Sequence, residues 1–264
     1  MEKNTKEISK KPLNNLCKYC GKELIMMKIK MPFGEKKEKF FTATCECVIA
    51  KRKKQDEENQ KQKIILLLKK NGFETGKYSK MTFNNWKNKT TTATDVSNKA
   101  TDYINFLALN KRNWLYLFGD YGLGKTHISV ASARKIAIKY NLNPSIVRWV
   151  EYCNQIQDSW HDKSINVDLN WLMTAQILVL DDIDKKNASE WTLGRMYDVL
   201  DYRYINDLPT IITANRSITS LLAFWSKSNE TQDLSCAIIS RIMGQLEKVI
   251  HFKGKDYRFH GGNI

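Results

Sequence analysis

The spacing of apolar residues changes from one stretch of the chain to the next, and the changes mark out elements. Trp114-Leu115-Tyr116-Leu117-Phe118 is a continuous apolar run that stops at Gly119, the pattern of a strand buried on both faces. Ile177-Leu178-Val179-Leu180 stops in the same way at Asp181-Asp182, and Thr210-Ile211-Ile212-Thr213 stops at Ala214-Asn215. Runs at 145–150 and 248–252 predict two more strands. Between them apolar positions recur every three or four residues, over about 126–140, 151–160, 189–205, 218–224 and 233–244, which predicts helices. Strand–helix alternation of this kind predicts an α/β fold, a parallel sheet with helices on both faces.

Ahead of this core the pattern differs. The first sixteen residues are polar and Lys-rich and predict a mobile lead. Leu24–Ile29 and Phe40–Thr44 then read as two strands about a Pro32-Phe33-Gly34 turn. Residues 48–70 predict one long charged helix whose Ile64–Leu68 patch must be buried, on the following domain or on a partner. Residues 84–99, rich in Thr, Asn and Lys, read as a linker, and a helix follows with Ala100, Tyr103, Ile104, Phe106 and Leu107 on one face. The chain thus divides into a small module at 1–50, a helical and linker region at 51–98 and a core domain at 99–264.

Charge adds a partner class without deciding it. The chain carries a formal +15, and residues 1–70 hold 19 Lys and Arg against 9 Asp and Glu. Such a front suits a polyanion or an acidic protein surface, and it equally suits a solvated Lys-rich face. No apolar run approaches the ~20 residues that span a bilayer. Met1-Glu2-Lys3-Asn4 leads into no hydrophobic block, so a cytoplasmic protein with no membrane association is expected. In a reducing compartment the six cysteines are read for metal rather than for disulfides. Cys17-x-x-Cys20 and Cys45-x-Cys47, brought together by the hairpin, make a four-thiolate Zn²⁺ site of the zinc-ribbon kind. Metal would supply most of such a small module's stability, ~10–16 kcal/mol in comparable peptides. Cys153 and Cys236 fall inside helical patterns of the core domain and are expected to be buried.

Gly119-Asp120-Tyr121-Gly122-Leu123-Gly124-Lys125-Thr126, between a strand and a helix that opens with His127, has the form Gly-x-x-x-x-Gly-Lys-Thr. The glycines let backbone N–H groups curl around phosphate oxygens. Lys125 reaches the outer phosphates of ATP or ADP, and the Thr126 hydroxyl suits a Mg²⁺ ligand. Some 55 residues later, Asp181 ends a buried strand where it can join the Mg²⁺ sphere, and Asp182 can orient or deprotonate water. Asn215, at the tip of the next strand, is placed either to sense a terminal phosphate or to cap the helix at 218–224.

With these motifs in order, followed by Ser240-Arg241 and Tyr257-Arg258, the chain resembles the DnaC/DnaI-type helicase loaders of the AAA+ superfamily. The resemblance covers roughly 78–260, and the thiol module more loosely. It implies a P-loop NTPase core without a helical lid and Mg²⁺-dependent ATP hydrolysis. It also implies Walker B roles for Asp181 and Asp182, a sensor role for Asn215, an arginine finger at Arg241 reaching a neighbouring subunit, and a second arginine sensor at Arg258. Arg241 in a local ion pair and Arg258 in a surface tail are the plainer alternatives. Asp182 stands where many relatives have Glu, and its shorter reach predicts slow hydrolysis. The implied partners are a hexameric DnaB-type replicative helicase, gripped by the N-terminal module, single-stranded DNA, and further copies of the chain in a ring or spiral. Trp149, Trp160 and Trp191 with Lys185-Lys186 are candidates for base stacking and phosphate contact. An IstB-like transposition helper, and a zinc adaptor that binds nucleotide without turnover, are the rival readings.

Overall fold

The structure, a computed structural model, describes residues 12–30, 38–86, 91–107, 113–161, 168–185, 188–254 and 256. It forms two compact units, 1–62 and 63–264.

In the first unit β1 (Pro12–Leu16), β2 (Glu23–Lys30) and β3 (Glu38–Thr42) make an antiparallel sheet in that order. The two expected strands pair from Met26↔Thr42 to Lys30↔Glu38. The Pro32-Phe33-Gly34 turn lies outside the described residues. β1 corrects the expectation of a mobile lead up to residue 16. A proline is tolerated at the first residue of an edge strand because no ladder donor is needed there, and Pro12 opens this one. Helix α1 (Glu46–Lys70) follows, its first turn in the first unit and its last in the second.

Within the second unit Ile64 and Leu68 of α1 are buried, one helical turn apart, while Ile65 and Leu66 face out. The apolar patch is therefore divided, its inner stripe sealed by its own unit. A 3₁₀ turn at Gly76–Lys80 leads on to α2 (Thr91–Phe106). α2 begins well before residue 99 and so corrects the linker reading of 84–99: Val96 joins Ala100, Tyr103 and Ile104 on a 3.6-residue stripe and is as deeply buried as they are.

The remaining elements follow the predicted alternation with two corrections: the strand expected over 145–150 ends at Arg148, Trp149 and Val150 opening the next helix, and a short helix at Asn170–Thr174 stands where a loop was expected. They are β4 (Trp114–Gly119), α3 (Lys125–Tyr140), β5 (Pro144–Arg148), α4 (Trp149–His161), α5 (Asn170–Thr174), β6 (Ile177–Asp181), α6 (Glu190–Ile205), β7 (Thr210–Ala214), α7 (Ile218–Trp225), α8 (Asn229–Gln245) and β8 (Leu246–Phe252). The strands form one parallel sheet in the order β5-β6-β7-β4-β8. Alternation along β4 shows why its run is unbroken. Leu115 and Leu117 face a core shared with α2 and α3, whereas Trp114 and Tyr116 face a second core shared with α4, α6 and α8. Arg203 of α6 is fully buried and donates to the carbonyls of Leu172, Met173, Ala175 and Pro209 and to Thr210 Oγ1, tying the ends of α5 and α6 to the sheet. Because all five strands run the same way, Gly119, Arg148, Asp181 and Ala214 emerge at one edge. There the cleft of an open α/β sheet forms.

Candidate nucleotide site and metal centre

The turn after β4 needs glycine for reasons of space as well as torsion. Gly124 has φ +87°, and a Cβ there would stand 2.5 Å from the Trp86 indole; Gly119 has φ +139°, and a Cβ would stand 2.2 Å from the Phe252 carbonyl oxygen. Gly124 is the N-cap of α3, and no side chain caps that helix, so its first amides stay available to a ligand. His127, next in the helix, bonds the Thr82 carbonyl at 2.8 Å through Nε2 and meets the edge of Trp86. Burial holds its pKa below the usual histidine value.

Lys125 is almost fully buried, and all three of its donors are used: Gly119 O at 2.7 Å, Asp120 O at 2.7 Å and Asn215 Oδ1 at 2.9 Å. Burial lowers its pKa, against the pull of Asp182, Asp184 and Asp181. Thr126 Oγ1 donates to the Asp181 carboxylate at 3.0–3.1 Å, and Thr213 Oγ1 donates to it at 2.6 Å. Desolvation and the neighbouring Asp182 raise the Asp181 pKa, and those hydroxyls pull it back. Asp182 follows at φ +57°, its N–H on Thr213 Oγ1 at 2.9 Å and its carboxylate paired with Lys185.

Asn215 does not cap α7; Ser217 does, accepting from Ser220 N. Asn215 is held instead by Asp184, a buried carboxylate that accepts from Asn215 N at 2.9 Å, Arg216 N at 3.2 Å and Arg216 Nη1 at 3.0 Å. Sequence reading passed over Asp184. The signal was an acid two residues after the Asp181-Asp182 pair, a position that only the fold connects to Asn215. It also passed over Arg148 and the wall formed by Thr75, Gly76, Lys77, Tyr78 and Met81, which closes the cleft opposite the loop. The cavity holds about 780 Å³, within the usual range for small-ligand sites, and brings Tyr121, Gly122, Leu123, Gly124, Lys125, Thr126, His127, Asp181, Asp182 and Asn215 together. Mg²⁺ fits the hydroxyl and carboxylate oxygens of Thr126 and Asp181, which already lie within hydrogen-bond distance of each other.

Other candidates lie elsewhere. Arg241, on α8, does not line the cavity; its Nε donates to Asp201 Oδ1 at 2.6 Å and its guanidinium lies over Tyr204. Arg258 and Lys186 fall outside the described residues. Trp149 is buried and open to no base, which corrects its place among the stacking candidates. Trp160 is 58% exposed and meets Trp191 edge to face at 5.0 Å. Cys236 corrects another expectation: it faces solvent, whereas Cys153 is buried as expected.

In the first unit the sulfurs of Cys17, Cys20, Cys45 and Cys47 lie within 4.8 Å of one another. Cys17 and Cys47 are 3.3 Å apart, Cys20 and Cys45 3.5 Å. The short Cys-x-Cys spacing works because Cys45 stands just outside α1, its carbonyl accepting from Val48 N and Ile49 N, and Cys47 lies in the first turn. At Gly21, φ +69° closes the other knuckle. Backbone N–H groups of Tyr19 and Cys20 lower the Cys17 thiol pKa, to about 6, the direction that favours the thiolate a metal needs. Four sulfurs at this spacing fit one tetrahedral Zn²⁺, whose sulfur–sulfur edges run ~3.8 Å for Zn–S bonds of about 2.3 Å.

Residues 41–262 match the family of IstB-like ATP binding proteins. The chain is 28% identical over 162 residues to the replicative helicase loader DnaI of Bacillus subtilis (strain 168), covering 60% of this chain and 52% of that one. It is also 28% identical over 117 residues to the phage-like element PBSX protein XkdC of the same strain, covering 42% and 43%. The chain thus spans about half the length of these curated relatives. Among solved structures, the DnaC helicase loader superposes with a TM-score of 0.55 at 19% identity, over 68% of this chain and all of that one. DnaI superposes with 0.53 at 23% identity, over 66% and 89%. These structures share the AAA+ fold of the second unit.

Proposed function

The chain belongs to the family of IstB-like ATP binding proteins, and from that premise we propose that it is a Mg²⁺-dependent ATPase that loads a hexameric replicative helicase onto single-stranded DNA. One observation carries the ATPase reading: inside one cavity Lys125 is hydrogen-bonded to Asn215 and Thr126 to Asp181. Lys125 and the amides of Gly122 to Thr126 hold the phosphates. Thr126 and Asp181 would hold Mg²⁺, which would supply positive charge against the charge that develops on the phosphates. Asp182 receives the proton of the attacking water, and Asn215 fixes the distance between the terminal phosphate and Lys125.

The loader role is supported by the similarity to DnaI, the replicative helicase loader of Bacillus subtilis (strain 168). The thiol module, which a ring-shaped helicase partner would occupy, favours it over the transposition helper. In this reading Arg241 leaves Asp201 to enter a neighbour's cavity, and Arg258 serves as a second arginine sensor. An arginine supplied in trans is worth ~10³–10⁵ in rate, so turnover rises steeply with assembly. Two measurements test the reading: ATP hydrolysis against protein concentration with single-stranded DNA present, and pull-down of the host's hexameric helicase. Arg241→Ala should leave nucleotide affinity unchanged and remove the concentration dependence. A chain that ignores the helicase but retains a transposase is a transposition helper.

A further inference from the structure

The second acid of the site is not free. Asp182 has a left-handed backbone, φ +57°, fixed by its N–H on Thr213 Oγ1 and by the turn in which Lys185 N donates to its carbonyl. Its carboxylate carries the Lys185 ammonium, and Arg148 Nη2 stands 3.9 Å away with Nη1 already paired to Glu151. Both cations stand at one oxygen of that carboxylate, Oδ2, so this oxygen is turned to protein rather than to water. Lys185 also lies 5.5 Å from the centre of the Tyr121 ring, and Tyr121 belongs to the phosphate loop. The ammonium therefore sits between the base and the loop that receives the phosphates. Its side chain is one-third exposed and hinged on a flexible stem, so it is able to move.

We propose that Lys185 reads the terminal phosphate: it rests on Asp182 when the site is empty or holds a diphosphate, and it transfers to the last phosphate of a nucleoside triphosphate, leaving Asp182 to position water. This rests on the nucleotide-site reading above. A triphosphate brings a third charged phosphoryl group into the cleft, and that group competes for the ammonium against one carboxylate. A diphosphate ends one group short and leaves the pair intact. Lys125 has no such exchange to make, since its partners are two loop carbonyls and Asn215 rather than a carboxylate. Lys185 is in these terms a positioning residue for Asp182 as well as a discriminator of triphosphate from diphosphate.

A merely structural ion pair would affect all nucleotides alike, and this separates the two roles. The experiment is competition of ADP and of a non-hydrolysable ATP analogue against a fluorescent nucleotide, with the full zinc-loaded chain and Mg²⁺. Lys185→Met keeps the aliphatic stem and removes the charge. It should weaken analogue binding about tenfold or more, the worth of one charge-assisted hydrogen bond, and leave ADP within about twofold. Lys185→Arg should recover most of the difference, and Lys185→Ala should repeat the Met result if the stem is incidental. Equal losses for both ligands, or no loss for either, overturn the inference while leaving the nucleotide site standing. Failure of the folded wild-type chain to bind either ligand removes the nucleotide site and this inference with it.

Discussion

Replacing Asp184 tests whether the site is built from behind. Asp184 is 3% exposed and accepts hydrogen bonds from Asn215 N, Arg216 N and Arg216 Nη1 on one oxygen, with Asn215 Nδ2 at 3.5 Å from the other. Hydrogen bonds to a charged group are worth ~1.5–3 kcal/mol each. The Arg216 side chain is 37% exposed, so water replaces its partner and its share falls to about 0.5 kcal/mol. The two backbone amides are less accessible, and Asp184→Ala leaves both without an acceptor, ~3 kcal/mol after allowing for some hydration. For a unit of this size that corresponds to a fall in Tm of roughly 6–12 °C. Asp184→Asn keeps one acceptor oxygen and loses only the charge, so about half that loss is expected. All seven tryptophans, at 86, 114, 149, 160, 171, 191 and 225, lie in the second unit, so tryptophan fluorescence during urea or thermal unfolding reports that unit alone. Asn215 should loosen as well, freeing Lys125 from its side-chain acceptor and weakening nucleotide binding. Asp184→Ala within ~1 kcal/mol of wild type, or Asp184→Asn as damaging as Ala, would refute the argument, since the first removes the cost of orphaned amides and the second the difference between charge and shape.

Lys125→Ala should reduce nucleotide affinity by roughly hundredfold, the upper end for a charged donor, and lower stability by about 1–3 kcal/mol because the buried Gly119 carbonyl loses its donor; isothermal titration reads the first and fluorescence during unfolding the second. Gly124→Ala meets both a left-handed backbone and the Trp86 ring, so nucleotide binding should fall and stability drop by about 1–3 kcal/mol. Adding Trp86→Ala should restore part of that loss, because it removes the clash but not the torsion. In the zinc-loaded chain a thiol reagent should meet Cys236 at once, with Cys17, Cys20, Cys45 and Cys47 reacting only after chelation and Cys153 only on unfolding. Rapid modification of five thiols before chelation would count against the metal centre.

The sequence carried the elements whose physics is local. Runs such as Leu115–Phe118 and Leu178–Leu180 are apolar on every residue because both faces of a central parallel strand are covered, and that pattern needs no tertiary knowledge. The phosphate loop was legible for a related reason, since its glycines answer to torsions and close approaches within a few residues. What escaped depends on meetings between distant segments. Asp184 looks like any loop acid until β7 sets the Asn215 and Arg216 amides against it, and Thr75–Met81 is a nondescript stretch until it closes a cleft whose other wall begins 40 residues later. α2 was concealed differently: its opening turn carries Thr91, Thr92 and Thr94, residues of weak helix propensity, and the helix is fixed by burial of Val96, Ala100 and Tyr103 rather than by composition.

Arg241 marks the opposite boundary. Its ion pair with Asp201 and its place over Tyr204 satisfy the guanidinium within one chain, yet neither partner is deeply buried, and exposed pairs of this kind contribute little, ~0–1 kcal/mol. A neighbour's triphosphate, carrying several charges in a drier setting, has more to offer the same group. The resting pair is therefore weak enough to be exchanged, which is the physical condition a finger in trans requires. The same logic underlies the Lys185 proposal: each takes a cation paired with a carboxylate, Lys185 with Asp182 and Arg241 with Asp201, and asks whether a phosphate would outbid that carboxylate.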